Sequence, residues 1–172
     1  MVNKKIVFLL FSFCILFGAC KEQYSEKIKH STFSLKLGNT WQAMALDTLP
    51  NTGYFTAENK QINKSGILTL TYTKDPISTI NYLNSMKTEI EQNPIYQLGD
   101  TKFEIAKPFK KGQTSGEMVE YHSNLQGLEV GGLIFVTQCG QYSYCFLYQQ
   151  NKNKHLISNF ESLINGFECK AN

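Results

Sequence analysis

The stretch Leu128–Tyr148, LEVGGLIFVTQCGQYSYCFLY, carries two long β-strand patterns separated by a tight turn. Apolar residues fill most of Leu128–Gln138, and aromatic residues alternate with smaller ones along Tyr142–Tyr148. Gly140-Gln141 lies between them and supplies the turn signal. The stretch therefore predicts a long antiparallel hairpin in the centre of a sheet.

Further strands and two helices surround this hairpin in the sequence. Asp75-Pro76 is typical of a helix start, with Asp75 as N-cap, and an apolar face at helical spacing follows until Asn93-Pro94. Leu156–Phe167 has the same periodicity and predicts a closing helix. The other predicted strands are Phe33–Leu37, Tyr54–Ala57, Ile67–Thr73, Tyr96–Leu98, Phe103–Ala106 and Glu117–Ser123. This order predicts an α+β domain with a mainly antiparallel sheet.

The arrangement of elements resembles the PsbP family. The resemblance is carried by Phe33-Ser34-Leu35-Lys36-Leu37 with Trp41 shortly after it, the mid-chain helix, the long hairpins and the closing helix. It implies an α/β/α sandwich over residues 33–172, a fold shared with Ran-binding Mog proteins and DcrB-type envelope lipoproteins, and it implies accessory or assembly roles. Asn39-Thr40 stands where the family usually has a proline before the tryptophan, and no site motif of these families matches. We expect Trp41 to lie in the core because large aromatic side chains bury the most area.

The first 20 residues are typical of a secretory signal. Lys4 and Lys5 precede an apolar run, which ends in Gly18-Ala19-Cys20. This ending resembles the lipobox of bacterial lipoproteins, which implies cleavage after residue 19 and acylation of Cys20. A membrane-spanning helix is the first alternative, but the run is shorter than the roughly 20 apolar residues that a span needs; a plain secreted protein is the second.

The segment after the predicted cleavage site indicates where the mature chain would lie. Lys21–His30 is polar and predicts a tether, so residues 20–32 are expected to form a lipidated N-terminus and tether. Lys21, rather than Asp, follows the cysteine, which resembles lipoproteins sent to the outer membrane. Lys21-Glu22 also resembles the surface-export signal of Bacteroidetes lipoproteins. We therefore expect a periplasmic or surface-facing outer-membrane lipoprotein that is held by Cys20.

Composition excludes several classes of partner. The formal net charge is +3, and loss of Lys4 and Lys5 would bring it to +1. All 17 basic residues are lysines, so the bidentate forks with which arginine binds phosphate and guanine are missing, which argues against a specific phosphate or nucleic-acid site. We expect no nucleic-acid partner, no cofactor and a monomer.

Candidate site residues are few, and each has a structural alternative. Glu120 and His122 share one strand face and are candidates for an acid–base or metal site, with a solvated strand edge as the favoured alternative. Tyr142, Tyr144 and Tyr148 share the face of Phe146; packing beneath a helix is favoured over stacking on bases or sugars. Gly131-Gly132 indicates a bulge or a close backbone approach.

Three cysteines remain once Cys20 is acylated, and an exported domain tends to oxidise them. A turn at Gly140-Gln141 places Cys139 and Cys145 on opposite sheet faces, which disfavours a bridge between them. The closing helix must return along the sheet towards the Gly140 turn, which brings Cys169 near Cys139. We predict a Cys139–Cys169 disulfide and a buried Cys145 thiol, with three unpaired cysteines as the alternative.

These observations favour a non-enzymatic, lipid-anchored envelope protein that binds an unknown envelope protein. Two alternatives remain: a toxin-immunity or effector-chaperone lipoprotein, and a hydrophobic-ligand carrier or enzyme that uses a sheet cleft. No catalytic, cofactor-binding or metal residue is assigned.

Overall fold

A computed structural model describes residues 24–49, 51–61, 66–75, 77–151 and 155–170. Within these residues no helix is long and apolar enough to cross a membrane. The strands are β1 Tyr24–Lys29, β2 Phe33–Gly38, β3 Trp41–Thr48, β4 Thr52–Asn59, β5 Gly66–Thr73, β6 Asp100–Phe103, β7 Lys107–Lys111, β8 Thr114–Leu125, β9 Leu128–Cys139, β10 Tyr142–Asn151 and β11 Phe167–Cys169. The helices are α1 Thr79–Gln92, α2 Pro94–Gln97 and α3 Leu156–Ile164.

A large antiparallel sheet forms the middle layer of the molecule. Its strand order is β3-β4-β5-β10-β9-β8-β6, with β7 also pairing to β8. The long β9–β10 hairpin lies in the middle, and its register places Tyr142 opposite Cys139 and Cys145 opposite Val136, as predicted. The α+β class with a mainly antiparallel sheet is confirmed.

Two apolar layers cover the faces of this sheet. On one face α1 buries Leu83 and Ile90 against β8, β9 and β10. On the other face lie α3 and a small sheet of order β1-β2-β11. The larger hydrophobic core lies between this second layer and the large sheet. Phe33, Phe160 and Phe146 are almost fully buried in it.

The tether prediction is wrong for Tyr24–Lys29, which forms strand β1. This strand pairs antiparallel with β2, and its own residue Ile28 is buried. The polar composition concealed the strand because β1 is an edge of the small sheet, with Lys27 and Lys29 exposed on either side of Ile28. The other residues of the predicted tether before Tyr24 lie outside the described part of the chain.

Helix α1 begins three residues later than predicted. Its N-cap is Ser78, whose hydroxyl accepts a hydrogen bond from the Asn81 N–H at 3.3 Å, so the assignment of Asp75 as N-cap is wrong. Pro76 lies outside the described residues. The Asp75 carbonyl accepts a hydrogen bond from the Ile77 N–H instead, and the helix begins only after this turn.

The strand predicted at Tyr96–Leu98 is wrong: Tyr96 and Gln97 belong to helix α2, and Leu98 is its C-cap. The Asn93 side chain accepts from the Ile95 N–H at 2.9 Å, and Pro94 occupies the first turn of α2. This cap favours a helical turn over an extended chain. The strand predicted at Phe103–Ala106 lies three residues earlier, as β6.

The closing helix ends at Ile164 rather than at Phe167. Gly166 lies so close to β2 that an added Cβ would be 2.1 Å from the Lys36 carbonyl oxygen. The Gly166 carbonyl accepts from the Lys36 N–H at 2.9 Å, and this bond starts the pairing of β11 with β2. Sheet pairing therefore replaces the last predicted helical turn.

Candidate functional site

Strand β3 forms one edge of the large sheet and carries exposed apolar side chains. Among the described strands it pairs with β4 alone, and its register is interrupted by a bulge at Met44, between Ala43 and Ala45. The side chains of Met44, Leu46 and Leu49 are 60%, 56% and 55% exposed. We name Met44, Leu46 and Leu49 the β3 edge patch. It offers both strand backbone and apolar contact area to a partner.

The opposite edge of the same sheet has the features by which proteins block strand addition. Strand β7 reads Lys-Pro-Phe-Lys-Lys and places Lys107, Pro108, Lys110 and Lys111 at the edge. Lysine and proline on an edge oppose pairing with another chain, because lysine must be desolvated and proline lacks an N–H. Strand β3, Trp-Gln-Ala-Met-Ala-Leu-Asp-Thr, has neither residue. Strands β3 and β7 therefore differ in chemistry: β7, which lies beside β6 at the far side of the sheet, carries both features, and β3 carries neither.

The sequence analysis did not identify β3, although it carries this patch. Burial alternates from Trp41 to Leu46, but the exposed face also carries the apolar Met44 and Leu46, so the sequence shows no alternation of apolar and polar residues. Trp41, expected in the core, lies at its start and is half-buried against Tyr148, with 6.2 Å between ring centroids. An indole followed by two alanines at spacing two was the available signal.

The structure joins Cys139 to Cys169 by a disulfide, the pairing that the sequence geometry predicts. The two Cα atoms are 6.3 Å apart, and the sequence separation is 30 residues. Cys145 is a buried free thiol on the opposite face, and burial raises its pKa to about 12. Cys20 lies outside the described residues.

Two clefts lie on either side of this disulfide. The larger, of about 480 Å³, is bounded by β11, the β7–β8 turn and the end of β9. Its lysine, Lys111, is paired with Glu161 at 2.9 Å. The smaller, of about 300 Å³, is bounded by the β1–β2 turn, the β9–β10 turn and the residues that follow β5 and β11. Both clefts are lined mainly by hydroxyl, amide and backbone groups.

Glu120 and His122 do not combine into one site. Glu120 accepts from the Lys107 ammonium at 2.7 Å, whereas His122 Nε2 lies 3.8 Å from Glu104 Oε1. Nδ1 of His122 is buried without a hydrogen-bond partner among the described residues. In the part of the chain that the structure describes, no three metal-binding side chains come together. The expectation of a solvated strand edge is also wrong, because β8 pairs with β9 on one side and with β6 and β7 on the other.

The tyrosine face of β10 is core from Tyr144 onward, whereas Tyr142 at the start of the strand is half-buried. Tyr144, Phe146 and Tyr148 are at most 1% exposed and pack against Phe160 and Phe167. The Tyr144 hydroxyl donates to the Thr32 carbonyl at 3.1 Å, which ties β10 to the small sheet. Stacking on bases or sugars is excluded for Tyr144, Phe146 and Tyr148, because α3 and the small sheet cover them.

Gly132 provides a close approach rather than a bulge. An added Cβ would lie 2.0 Å from Cζ of Tyr121, whose ring covers the strand at this point. The β8–β9 register runs through Gly132 without interruption. The Tyr121 hydroxyl accepts from the Gln149 amide at 2.8 Å, and burial raises its pKa. The hydroxyl of Tyr96 in α2 lies 3.4 Å from the Tyr121 hydroxyl, so this cluster joins α2 to the sheet.

Comparison with known proteins identifies a similar fold and assigns no activity. No family model matches the sequence, and no curated protein matches it. The solution structure of cyanobacterial PsbP (CyanoP) from Synechocystis sp. PCC 6803 aligns with a TM-score of 0.60 at 9% identity, over 89% of this chain and 96% of that one. A crystal structure from Bacteroides thetaiotaomicron VPI-5482 aligns with a TM-score of 0.58 at 13% identity, over 87% of this chain and 50% of that one.

The chain therefore has a PsbP-like fold: an antiparallel sheet with a helix on one face and a helix plus a small sheet on the other. The PsbP-like expectation from the sequence is confirmed at the level of the fold.

Proposed function

We propose that the chain is a non-enzymatic, lipid-anchored protein of the cell envelope that binds a protein partner through the open edge of its large sheet. The observation that carries this proposal is the difference between the two edges. At one edge β7 carries lysines and a proline; at the other, β3 carries neither and exposes Met44 and Leu46, with Leu49 exposed directly after the strand.

Strand addition explains how such an edge recognises a partner. An extended segment that pairs with β3 gains main-chain hydrogen bonds, and its side chains contact the apolar patch at alternate positions. The bulge at Met44 interrupts regular pairing, so a continuous sheet with any chance segment is disfavoured. The partner surface is thus expected to complement a kinked edge.

Attachment to the membrane is supported by the sequence. The Gly18-Ala19-Cys20 ending gives Cys20 as the acylated residue, and two or more acyl chains hold a domain stably on a bilayer. Lys21 after the cysteine favours the outer membrane. Strand β1 begins at Tyr24, so only a short segment separates Cys20 from the folded domain.

Capture from detergent-solubilised envelope tests the binding proposal. The intact lipoprotein is compared with Leu46→Lys and Met44→Lys, and with Ile105→Lys as matched control, since Ile105 is 88% exposed and lies outside the patch. We expect a defined protein to be captured by the wild type and by Ile105→Lys, and its recovery to fall at least about tenfold with either edge variant. Equal recovery with all four proteins would contradict the proposal.

A further inference from the structure

The smaller cleft beside the disulfide gathers positive charge at one end of the molecule. Its volume is about 300 Å³, and its lining includes Ser31, Thr32, Lys74, Gln141, Tyr142 and Lys170. These residues come from four separate places in the chain. The fold thus builds one concave wall from residues that are far apart in sequence.

The two lysines of this cleft have no acidic partner among the described residues. No carboxylate lines the cleft, and neither Lys74 nor Lys170 takes part in an ion pair in the part of the chain that the structure describes. In the neighbouring cleft Lys111 is neutralised by Glu161. Uncompensated charge of one sign in a concave site raises the local concentration of oppositely charged ligands.

The surroundings of Lys170 hold its charge at the cleft. Its ammonium donates to the His30 carbonyl, and its backbone N–H donates to the Thr32 carbonyl at 2.9 Å. The His30 ring is joined to Thr32 through Nδ1 and the hydroxyl, which are 2.9 Å apart. The Lys170 ammonium and the Thr32 hydroxyl of the cleft wall are thus both held through His30, which lies behind the wall.

We propose that this cleft binds the phosphate group of a small phosphate ester, with Lys74 and Lys170 as the cationic contacts and the Ser31 and Gln141 side chains as neutral donors. A phosphate oxyanion accepts hydrogen bonds from several donors at once, which suits a wall that combines ammonium, hydroxyl and amide groups. Lysine binds phosphate as a point charge, so the site does not need the arginine that the chain lacks. The volume exceeds that of a phosphate ion and leaves room for an ester substituent.

Calorimetric titration of the full chain in detergent at low ionic strength tests this inference. The probes are glycerol 3-phosphate, inorganic phosphate and acetate. We expect saturable binding of both phosphates and weaker binding of acetate. Lys74→Gln and Lys170→Gln should each weaken phosphate binding about tenfold, the loss expected for one charge-assisted hydrogen bond. Lys110→Gln, an exposed lysine on β7, is the matched control and should leave the affinity unchanged.

A second readout does not depend on the size of the heat signal. Bound phosphate adds negative charge beside Thr32 and Lys170, so the His30 imidazole pKa, followed by NMR, should rise on saturation. Vesicles that contain phosphatidylglycerol distinguish a soluble phosphate ester from a lipid headgroup. Lysine-dependent binding to these vesicles, as well as to soluble phosphate, would show that the cleft accepts a lipid phosphate. Absence of saturable phosphate binding, acetate binding as tight as phosphate, or equal affinities for Lys74→Gln, Lys170→Gln and Lys110→Gln would each overturn the inference.

Discussion

His30 links the small sheet to the large one through its imidazole. Nδ1 lies 2.9 Å from the Thr32 hydroxyl, and Nε2 lies 3.2 Å from the Tyr72 hydroxyl. Burial, with a smaller contribution from the positive charge of Lys170, lowers the pKa of this imidazole. The folded protein therefore favours neutral His30.

This lowered pKa makes folding stability depend on pH. Above about pH 6.5, the ordinary histidine pKa, the ring is neutral in both states and its full contribution is present. As the pH falls through the folded-state pKa, the unfolded chain binds the proton more readily and that contribution is lost. We expect urea unfolding to show a larger loss of stability between pH 7 and pH 5 for the wild type than for His30→Gln. Parallel pH profiles would show that His30 titrates without linkage to folding.

Helix α1 depends on a single cap that can be tested against its neighbour. Ser78 satisfies an N–H of the first turn, and Asp75 does not. Ser78→Ala should therefore lower the free energy of unfolding by about 1 kcal/mol. Asp75→Ala, the matched control, should change it much less. A larger loss for Asp75→Ala than for Ser78→Ala, measured by urea unfolding, would place the helix start where the sequence alone predicted it.

The disulfide fixes strand β11 to the end of β9. A bridge that closes a loop of 30 residues restricts the unfolded chain, which corresponds to about 3.6 kcal/mol in the chain-entropy model. We expect Cys169→Ser to lose about this much stability and to leave the long hairpin folded. Peptide mapping without reductant should recover Cys139 and Cys169 as one linked pair, with Cys145 alkylated only after unfolding. A Cys139–Cys145 pair would contradict the register of the β9–β10 hairpin.

The elements that the sequence predicted well are those that bury one face along their whole length. The β9–β10 hairpin and β5 show clear patterns because each packs under a covering layer. Strands β1 and β3 are edges, and β3 carries apolar residues on its exposed face as well as on its partly buried one. The Asn93 cap is a local hydrogen bond that strand propensity around Tyr96 does not reveal. Edge strands and local caps thus account for most of the errors.

The candidate surfaces were less predictable than the fold for a related reason. The β3 edge patch exists only because β3 is last in the strand order, which no single segment encodes. The basic cleft brings Lys74 within one wall with Lys170, nearly a hundred positions later in the chain. The cysteine pairing could be predicted because hairpin register and the return of the last helix constrain it directly.

At the scale of the whole molecule, the proposal requires a lipid at the N-terminus. Mass spectrometry of the mature protein, extracted from membranes of its own host, should find a chain that begins at Cys20 and carries a diacylglyceryl group. Cys20→Ser should remain unprocessed or lose membrane attachment. Recovery of the wild-type mature chain as an unmodified species free of the membrane would contradict the lipid anchor.

Site-specific photo-crosslinking in the native envelope tests the central claim most directly, because it records contact at the β3 edge itself. A photoreactive amino acid is placed at Leu46 in the lipid-anchored chain, and at Ile105 as an exposed apolar control. We predict a discrete adduct with one envelope protein from position 46 and none from position 105. No adduct at position 46, or the same adduct at both positions, would contradict a partner bound at this edge.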